Sequence, residues 1–325
     1  MTGLLKNREL LLLLAIAALV SLIALRFPGF VAPANLANVY NDTSILIILA
    51  LGQMAVILTR CIDLSMAANL ALCGMVAGLI NMAVPGMPEL FVILAVMALG
   101  AVLGAFNGIL VWKLDIPPIV VTLGTLTIYR GLIFILTNGA WINAHQMSDS
   151  FKAFPRTQIL GFPVLSWLSI LMIVIMAIVM KRSATGRAFF AVGGNPHAAV
   201  YTGIDVGRTR FLAYTLSGTL AGLAGYLWVS RYAVAYVDIA LGFELDIIAA
   251  CVIGGISIAG GIGSVGGAVL GALFLGVIKN ALPVINISPF AQMAISGTVI
   301  IIAVAVNARA EKRKGRVILK KAEAA

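Results

Sequence analysis

Residues 90–112 read LFVILAVMALGAVLGAFNGILVW, a run of 23 positions without a charge. A helix rising about 1.5 Å per residue over such a run covers the roughly 30 Å of a bilayer's hydrocarbon core. Its glycines, Gly100, Gly104 and Gly108, recur every four positions. They therefore share one ridge, along which another helix backbone can approach closely. Comparable apolar runs fall at 9–26, 43–59, 66–84, 118–137, 164–180, 211–229, 241–259, 264–282 and 290–307, which makes ten spans in all. The chain of 325 residues is 62% hydrophobic and 10% charged, against about half and a quarter in soluble domains, so a soluble globule is excluded. The expected fold is all-α and polytopic, with about ten transmembrane helices in a single domain over 1–325.

The scarce charge indicates orientation. The formal net charge is +10, but the basic residues are spread along an apolar chain, which points away from nucleic acid. With the N-terminus inside, the inner side takes Lys6, Arg8, Arg60, Lys113, Lys181, Arg182, Arg187, Arg208, Arg210, Arg309, Lys312, Arg313, Lys314, Arg316, Lys320 and Lys321, 16 of the 22 Lys and Arg. This bias predicts both termini in the cytoplasm, a long inner segment at about 181–210, a basic inner tail at 308–325 and a long outer segment at 138–163. The first run follows Lys6 and Arg8, yet no small-x-small site ends it, so a retained helix is expected rather than a signal peptide.

The string GAVLGA at 100–105 recurs at 267–272, five spans later and hence in the opposite orientation. That is the trace of a 5+5 inverted repeat in a transporter. Further small-residue ridges are expected at Gly218 and Gly222 and at Gly263, Gly267 and Gly271. The string GIGSVG at 261–266 fits G-x-G-x-x-G in form, but it lies in an apolar run with no acidic residue about 20 positions on, so it is no dinucleotide site. No Lys follows a Gly, so a phosphate-binding loop ending in G-K-[ST] is absent and any ATP hydrolysis belongs to another chain. Cys61, Cys73 and Cys251 are scattered and read as packing residues, and no metal site is expected.

Charges at membrane depth are expensive, about 2.5 to 3.5 kcal/mol each at mid-span. Arg130 lies within the fifth run, whose helix also carries Thr122 and Thr125. Glu244 and Asp246 open the eighth, and Lys279 and Asn280 close the ninth. Thr122, Thr125, Arg130, Glu244, Asp246 and Asn280 are candidates for a polar pathway or a partner-docking site. For Arg130 two readings stand: it snorkels or pairs with a carboxylate, or it borders the pathway or docks an outside partner. So few buried charges supply no proton relay and no Na⁺ cage, which argues against an ion-coupled secondary transporter, the competing class.

The inner segment carries the sharpest local signal. Asn195 is a good N-cap, Pro196 sits at the first helical position and Gly203 at a C-terminal stop, so a helix of about six residues is predicted. In a basic inner loop it reads either as a surface turn or as a knob gripped by a cytoplasmic motor protein.

The stretch 186–204, GRAFFAVGGNPHAAVYTGI, resembles the coupling loop of ABC importer permeases of the ribose, xylose, rhamnose and autoinducer group, akin to the branched-chain amino-acid permeases. Three further stretches share the group's pattern in the right order: IDLS at 62–65, IPPIVVTLGTL at 116–126, and GFELDIIAACVIGGI at 242–256 followed by GGIGSVG at 260–266. Arg60-Cys61 departs from the Gly-Gly usual there, which puts the local backbone in question. The resemblance implies a permease subunit in the bacterial cytoplasmic membrane, not itself an enzyme, with a second permease copy or a paralogue. A cytoplasmic ATPase binding ATP and Mg²⁺ and a periplasmic or extracellular substrate-binding protein would complete the importer. Gly186, Arg187, Gly193, Gly194, Asn195, Pro196, His197, Ala198, Ala199 and Gly203 would couple to the ATPase. The cargo implied is a monosaccharide, closest to rhamnose by the wording around 41–45 and 233–238, with the autoinducer or a branched-chain amino acid as alternatives.

Overall fold

A computed structural model describes residues 8–284, with 287–288, 291, 294, 297–298 and 301 beyond them. Most of the tenth run and the basic tail at 308–325 lie outside the described residues. The helices are α1 (Arg8–Arg26), α2 (Pro33–Leu58), α3 (Met66–Ala83), α4 (Glu89–Lys113), α5 (Pro118–Thr137), α6 (Asp149–Ala153), α7 (Val164–Arg182), α8 (Ala184–Gly194), α9 (Pro196–Tyr201), α10 (Val206–Tyr232), α11 (Phe243–Ile253) and α12 (Val265–Val284). Two-residue strands, β1 (Gln158–Ile159) and β2 (Phe162–Pro163), pair antiparallel in the outer segment. Among the described residues, eight helices, α1 to α5, α7, α10 and α12, are long and apolar enough to cross a membrane.

Two spans differ most from the sequence reading. α2 begins at Pro33, ten positions before the apolar run, because Pro is pre-shaped for the first turn of a helix. The eighth run, 241–259, is not a continuous crossing helix. α11 ends at Ile253 after 11 residues, about 16 Å of rise, and Gly255 turns the chain through φ 83°. The backbone beyond is satisfied locally: Ile256 N donates to Cys251 O at 3.0 Å and Ser257 N to Ile262 O at 2.9 Å. Irregular backbone is tolerated at membrane depth when protein covers it, and Ile256 and Ser257 are buried.

α2 and α10 form the buried centre. α10 packs on α4, α3 and α2, while α2 packs on α12, α7 and α11. Exchanging α2 with α10 and α4 with α12 maps the α4–α10 contact onto the α12–α2 contact, the packing an inverted repeat gives. The repeated string itself does not mark equivalent places. Gly100 lies well inside α4 and faces Gly218, whereas Gly267 lies in the first turn of α12 and faces Gly254.

The glycine ridges are real on α4, α10 and α12. A Cβ at Gly100 would lie 2.2 Å from Gly218 O, one at Gly104 2.2 Å from Tyr214 O, and one at Gly108 2.8 Å from Phe211 Cα. On α12, Gly267 approaches Gly254 O and Gly271 approaches Ala250 O. Gly263 is the exception: it precedes α12 in a loop, where a Cβ would meet the Ile256 side chain at 3.0 Å. Four-residue spacing alone does not show where a helix begins.

The loops assigned to each side by charge also meet in space. On the outer side Ile142 bridges Ala235, and Asn81 Nδ2 donates to Ser148 Oγ at 2.8 Å. On the inner side Arg60 reaches Gly193, and Gly261 N donates to Leu58 O at 3.0 Å.

Candidate functional site

The inner junction is built from α8, α9 and two turns distant in sequence. Ser183 caps α8, its Oγ accepting from Gly186 N at 2.9 Å. Gly186 is buried where a Cβ would meet Val179 O at 2.2 Å, and Arg187 is exposed, donating from Nη1 to Arg182 O at 3.2 Å. α9 forms as the caps dictate: Asn195 Oδ1 accepts from Ala198 N at 3.1 Å, Pro196 is its first residue, and Gly203 adopts φ 83°. One face, at Ala199, is buried. The other shows His197, Ala198, Val200 at 59% and Tyr201 at 91% exposure, an apolar tip on a rigid six-residue helix.

Gly193 is where the end of α8 meets the end of α2 and the loop before α12. A Cβ there would lie 1.7 Å from Leu58 O and 2.3 Å from Gly261 N, both backbone atoms. Gly194 has open space instead. The sequence departure at Arg60 is answered here. Arg60 sits at φ 63° as the C′ residue of α2, with Arg60 N bonding Ile57 O and Cys61 N bonding Val56 O, the pattern of a Schellman stop. A non-glycine residue in that region costs about 1 to 3 kcal/mol. Its guanidinium donates from Nε to Gly193 O at 2.8 Å and from Nη2 to Gly194 O at 2.9 Å.

Three residues on, Asp63 is 2% exposed and forms the hub of a buried polar network. Its Oδ1 accepts from Ser65 N at 3.0 Å and Ser65 Oγ at 2.7 Å, and its Oδ2 accepts from Ser217 Oγ at 3.3 Å. Asn107 Nδ2 donates to Ser65 Oγ at 2.8 Å, Tyr214 OH to Ile62 O at 3.2 Å, and Thr122 Oγ1 to Ile62 O at 3.3 Å. Gln53, with its amide oriented to satisfy both groups, bonds the Asp63 backbone. One turn thus ties α2 to α4, α5 and α10. Burial pushes the Asp63 carboxyl above the ordinary carboxylate range, while the Ser65 and Ser217 hydrogen bonds pull it back.

The six pathway candidates do not line one place. Thr122 and Thr125 are buried, donating to backbone carbonyls at the inner junction and within α5. Arg130, eight positions or about 12 Å further along the helix, donates from Nη1 to Val237 O and Ile239 O, the carbonyls of the outer loop before α11. It clamps backbone rather than bonding a carboxylate. Asp246 pairs with Lys279 Nζ at 2.5 Å, and Asn280 donates to Gly276 O on its own helix at 3.0 Å. Glu244 is half-buried in the first turn of α11.

Because a hydrogen bond from a charged donor contributes about 1.5 to 3 kcal/mol, Arg130→Met is expected to destabilise the protein by about that amount. The variant should melt at lower temperature in detergent and lose more uptake than abundance. Unchanged melting and transport would show that the guanidinium merely reaches the outer interface.

The residues to which the sequence reading gave no site role are Arg60, read as an inner-side charge and a departure, Asp63 and Ser65, quoted only within the IDLS stretch, and Asn107 and Ser217. The available signal was polar residues inside apolar runs, each of which must find a partner when buried. Among the described residues no group of His, Cys, Asp and Glu is placed to hold a metal.

A family model described as branched-chain amino acid transport system / permease component matches residues 35–304. The chain is 39% identical to an autoinducer 2 import system permease protein LsrC of Enterobacter sp. (strain 638), over 93% of this chain and 87% of that one. It is 38% identical to the protein of that name from Klebsiella pneumoniae, over 97% and 91%, and 36% identical to that of Escherichia coli, over 93% and 87%. No solved structure matches. A polytopic helical chain with the short capped α9 and the IDLS turn where the sequence places them, matched over most of its length, belongs to the permease family of the branched-chain amino-acid and autoinducer type: an ABC importer permease of the bacterial inner membrane.

Proposed function

We propose that this permease carries a small uncharged polyol of the autoinducer 2 class inward, powered by a separate cytoplasmic ATPase that binds ATP and Mg²⁺. The observation carrying the ATP-driven part is the α8–α9 hinge, a capped rigid knob with exposed Val200 and Tyr201 whose root is packed against Leu58 and Gly261. A soluble binding protein outside supplies selectivity, and a second permease copy or a paralogue completes the path. Rhamnose, the cargo that the wording around 41–45 and 233–238 favoured, gives way to autoinducer 2 because the relatives at 36–39% identity bear that name. An uncharged cargo also suits the outer half. Several ions there are already engaged: Asp42 with Arg231, Asp246 with Lys279, and Arg130 with two carbonyls.

The test is uptake into proteoliposomes holding the permease, its ATPase and the binding protein, with labelled autoinducer 2 and rhamnose as rival cargoes. ATP-dependent autoinducer 2 uptake, poorly competed by rhamnose, is expected. Rhamnose uptake alone would overturn the cargo, and ion-driven uptake by the isolated chain would overturn the class. Replacing 195–203 by a Gly/Ser stretch should leave membrane insertion intact and abolish uptake, since a flexible segment loses the ordered knob. Normal uptake by that variant would refute the coupling role.

A further inference from the structure

We propose that Arg60 is a coupling strap, the positioning residue through which movement of the α8–α9 hinge is pulled onto the buried Asp63 turn. The proposal rests on the ATP-driven reading above and assigns one side chain to the transmission step.

Three observations converge on it. First, its target is a helix end. Gly193 and Gly194 are the last residues of α8, so their carbonyls point away from the helix without partners inside it. The Arg60 fork meets both, placing a cation at the negative end of the helix dipole. Second, Arg60 occupies a backbone position that disfavours it, at φ 63° in the C′ place of α2 where glycine is at ease. A long side chain held at such a position needs its contacts to hold it there. Third, a neighbour is shaped around its stem. Gly260, at φ 85°, lies so close that a Cβ would meet Arg60 Cγ at 2.4 Å, and Gly261 next to it bonds Leu58 O. The strap thus links the root of the knob, the end of α2 and the loop that follows the broken α11.

What it pulls on is close by. Ile62 and Asp63 follow within three residues, and their bonds run to Tyr214, Ser217 and Thr122. A shift of the hinge carries Gly193 O and Gly194 O with it, and the fork drags the end of α2. Without the fork, the hinge still meets α2 through the Gly193–Leu58 packing, which resists compression but not withdrawal. Arg60 is therefore required for the half of the cycle in which the knob moves away.

The experiment measures uptake and ATP hydrolysis together in proteoliposomes of the complete importer, using labelled autoinducer 2, or rhamnose if that is the cargo carried by the wild type. Arg60→Gly relieves the backbone and removes the fork. Arg60→Lys keeps the charge but not the two-point bond. For Arg60→Gly we expect hydrolysis of at least half the wild-type rate and uptake per ATP lowered about five- to tenfold, the scale of a modest coupling energy. Arg60→Lys should fall between the two. Unchanged uptake per ATP in Arg60→Gly overturns the proposal, as does a Lys variant equal to wild type. Proportional loss of uptake and hydrolysis in both variants also overturns it, because that pattern makes Arg60 part of the seat for the ATPase. A wild type without ATP-driven uptake of either cargo would instead fail the underlying reading.

Discussion

Gly193→Ala is expected to leave the chain in the membrane and to cut ATP-driven uptake by at least tenfold. The added methyl would lie 1.7 Å from Leu58 O, 2.3 Å from Gly261 N and 2.9 Å from Gly261 Cα. All three are backbone atoms, and the first two are joined to each other by a 3.0 Å hydrogen bond. No rotamer change relieves such an overlap, so the root of α9 must withdraw by roughly 1.5 Å or more to restore ordinary contact. Overpacking of this kind costs about 1 to 3 kcal/mol, and a loss of 1.4 kcal/mol in coupling is already tenfold. The withdrawal also stretches both Arg60 bonds beyond useful length. Gly194→Ala is the matched control: its Cβ meets nothing within 4 Å, and uptake should stay within about twofold of wild type. Uptake assays with membrane abundance measured in parallel decide it. A Gly193→Ala variant that transports like the wild type would mean that the hinge does not bear on α2.

The contrast between Gly193 and Gly194 shows what a sequence can and cannot convey here. α9 was legible because capping is local: Asn195, Pro196 and Gly203 state a start and a stop within nine residues. Long spans were legible because a bilayer demands length and apolarity, and α5 falls at 118–137 as read. The break in α11 was hidden because residues 241–259 stay apolar through it, and periodicity cannot register a helix ending inside an apolar run. Gly263 was placed on a helical ridge for the same reason. The Asp63 network and the meeting of Arg60, Gly193 and Gly260 were hidden by distance along the chain, 133 residues between the first two. In advance the junction showed only as separate stretches, 62–65, 186–204 and 260–266, and as the mismatch at Arg60, a bulky residue where a glycine belongs. Its local disadvantage is explained by bonds made elsewhere, which is how a departure from local preference comes to mark a functional position.

The second large effect is expected at the α4–α10 seam, where Gly218→Ala should destabilise the folded permease by about 1 to 3 kcal/mol. In lipid, helices gain nothing from hiding apolar surface from each other, so close packing itself holds them. A methyl on Gly218 would lie 2.1 Å from Gly100 O and 2.9 Å from Gly104 N and Cα. The same ridge continues at Gly222 against Val96 O and at Gly104 against Tyr214 O, so separating the backbones at one level opens the neighbouring levels too. Membrane abundance should fall several-fold, the usual response to such a loss, and the melting temperature in detergent should drop. Gly124→Ala and Gly131→Ala on α5 are the controls, since neither Cβ would meet anything within 4 Å. They should be neutral or gain up to about 1 kcal/mol from better helix propensity. Combining Gly100→Ala with Gly218→Ala should cost less than the sum, because the first methyl has already forced the gap that the second needs. Additive losses, or a Gly218→Ala protein melting like wild type, would refute direct backbone contact. The seam matters beyond stability. Ser217 is the residue before Gly218, and Tyr214 lies one turn away; they donate to Asp63 and to Ile62 O, respectively. A Gly218→Ala protein that survives in the membrane should therefore lose uptake more steeply than abundance, because the gap lifts both donors off the turn that Arg60 pulls.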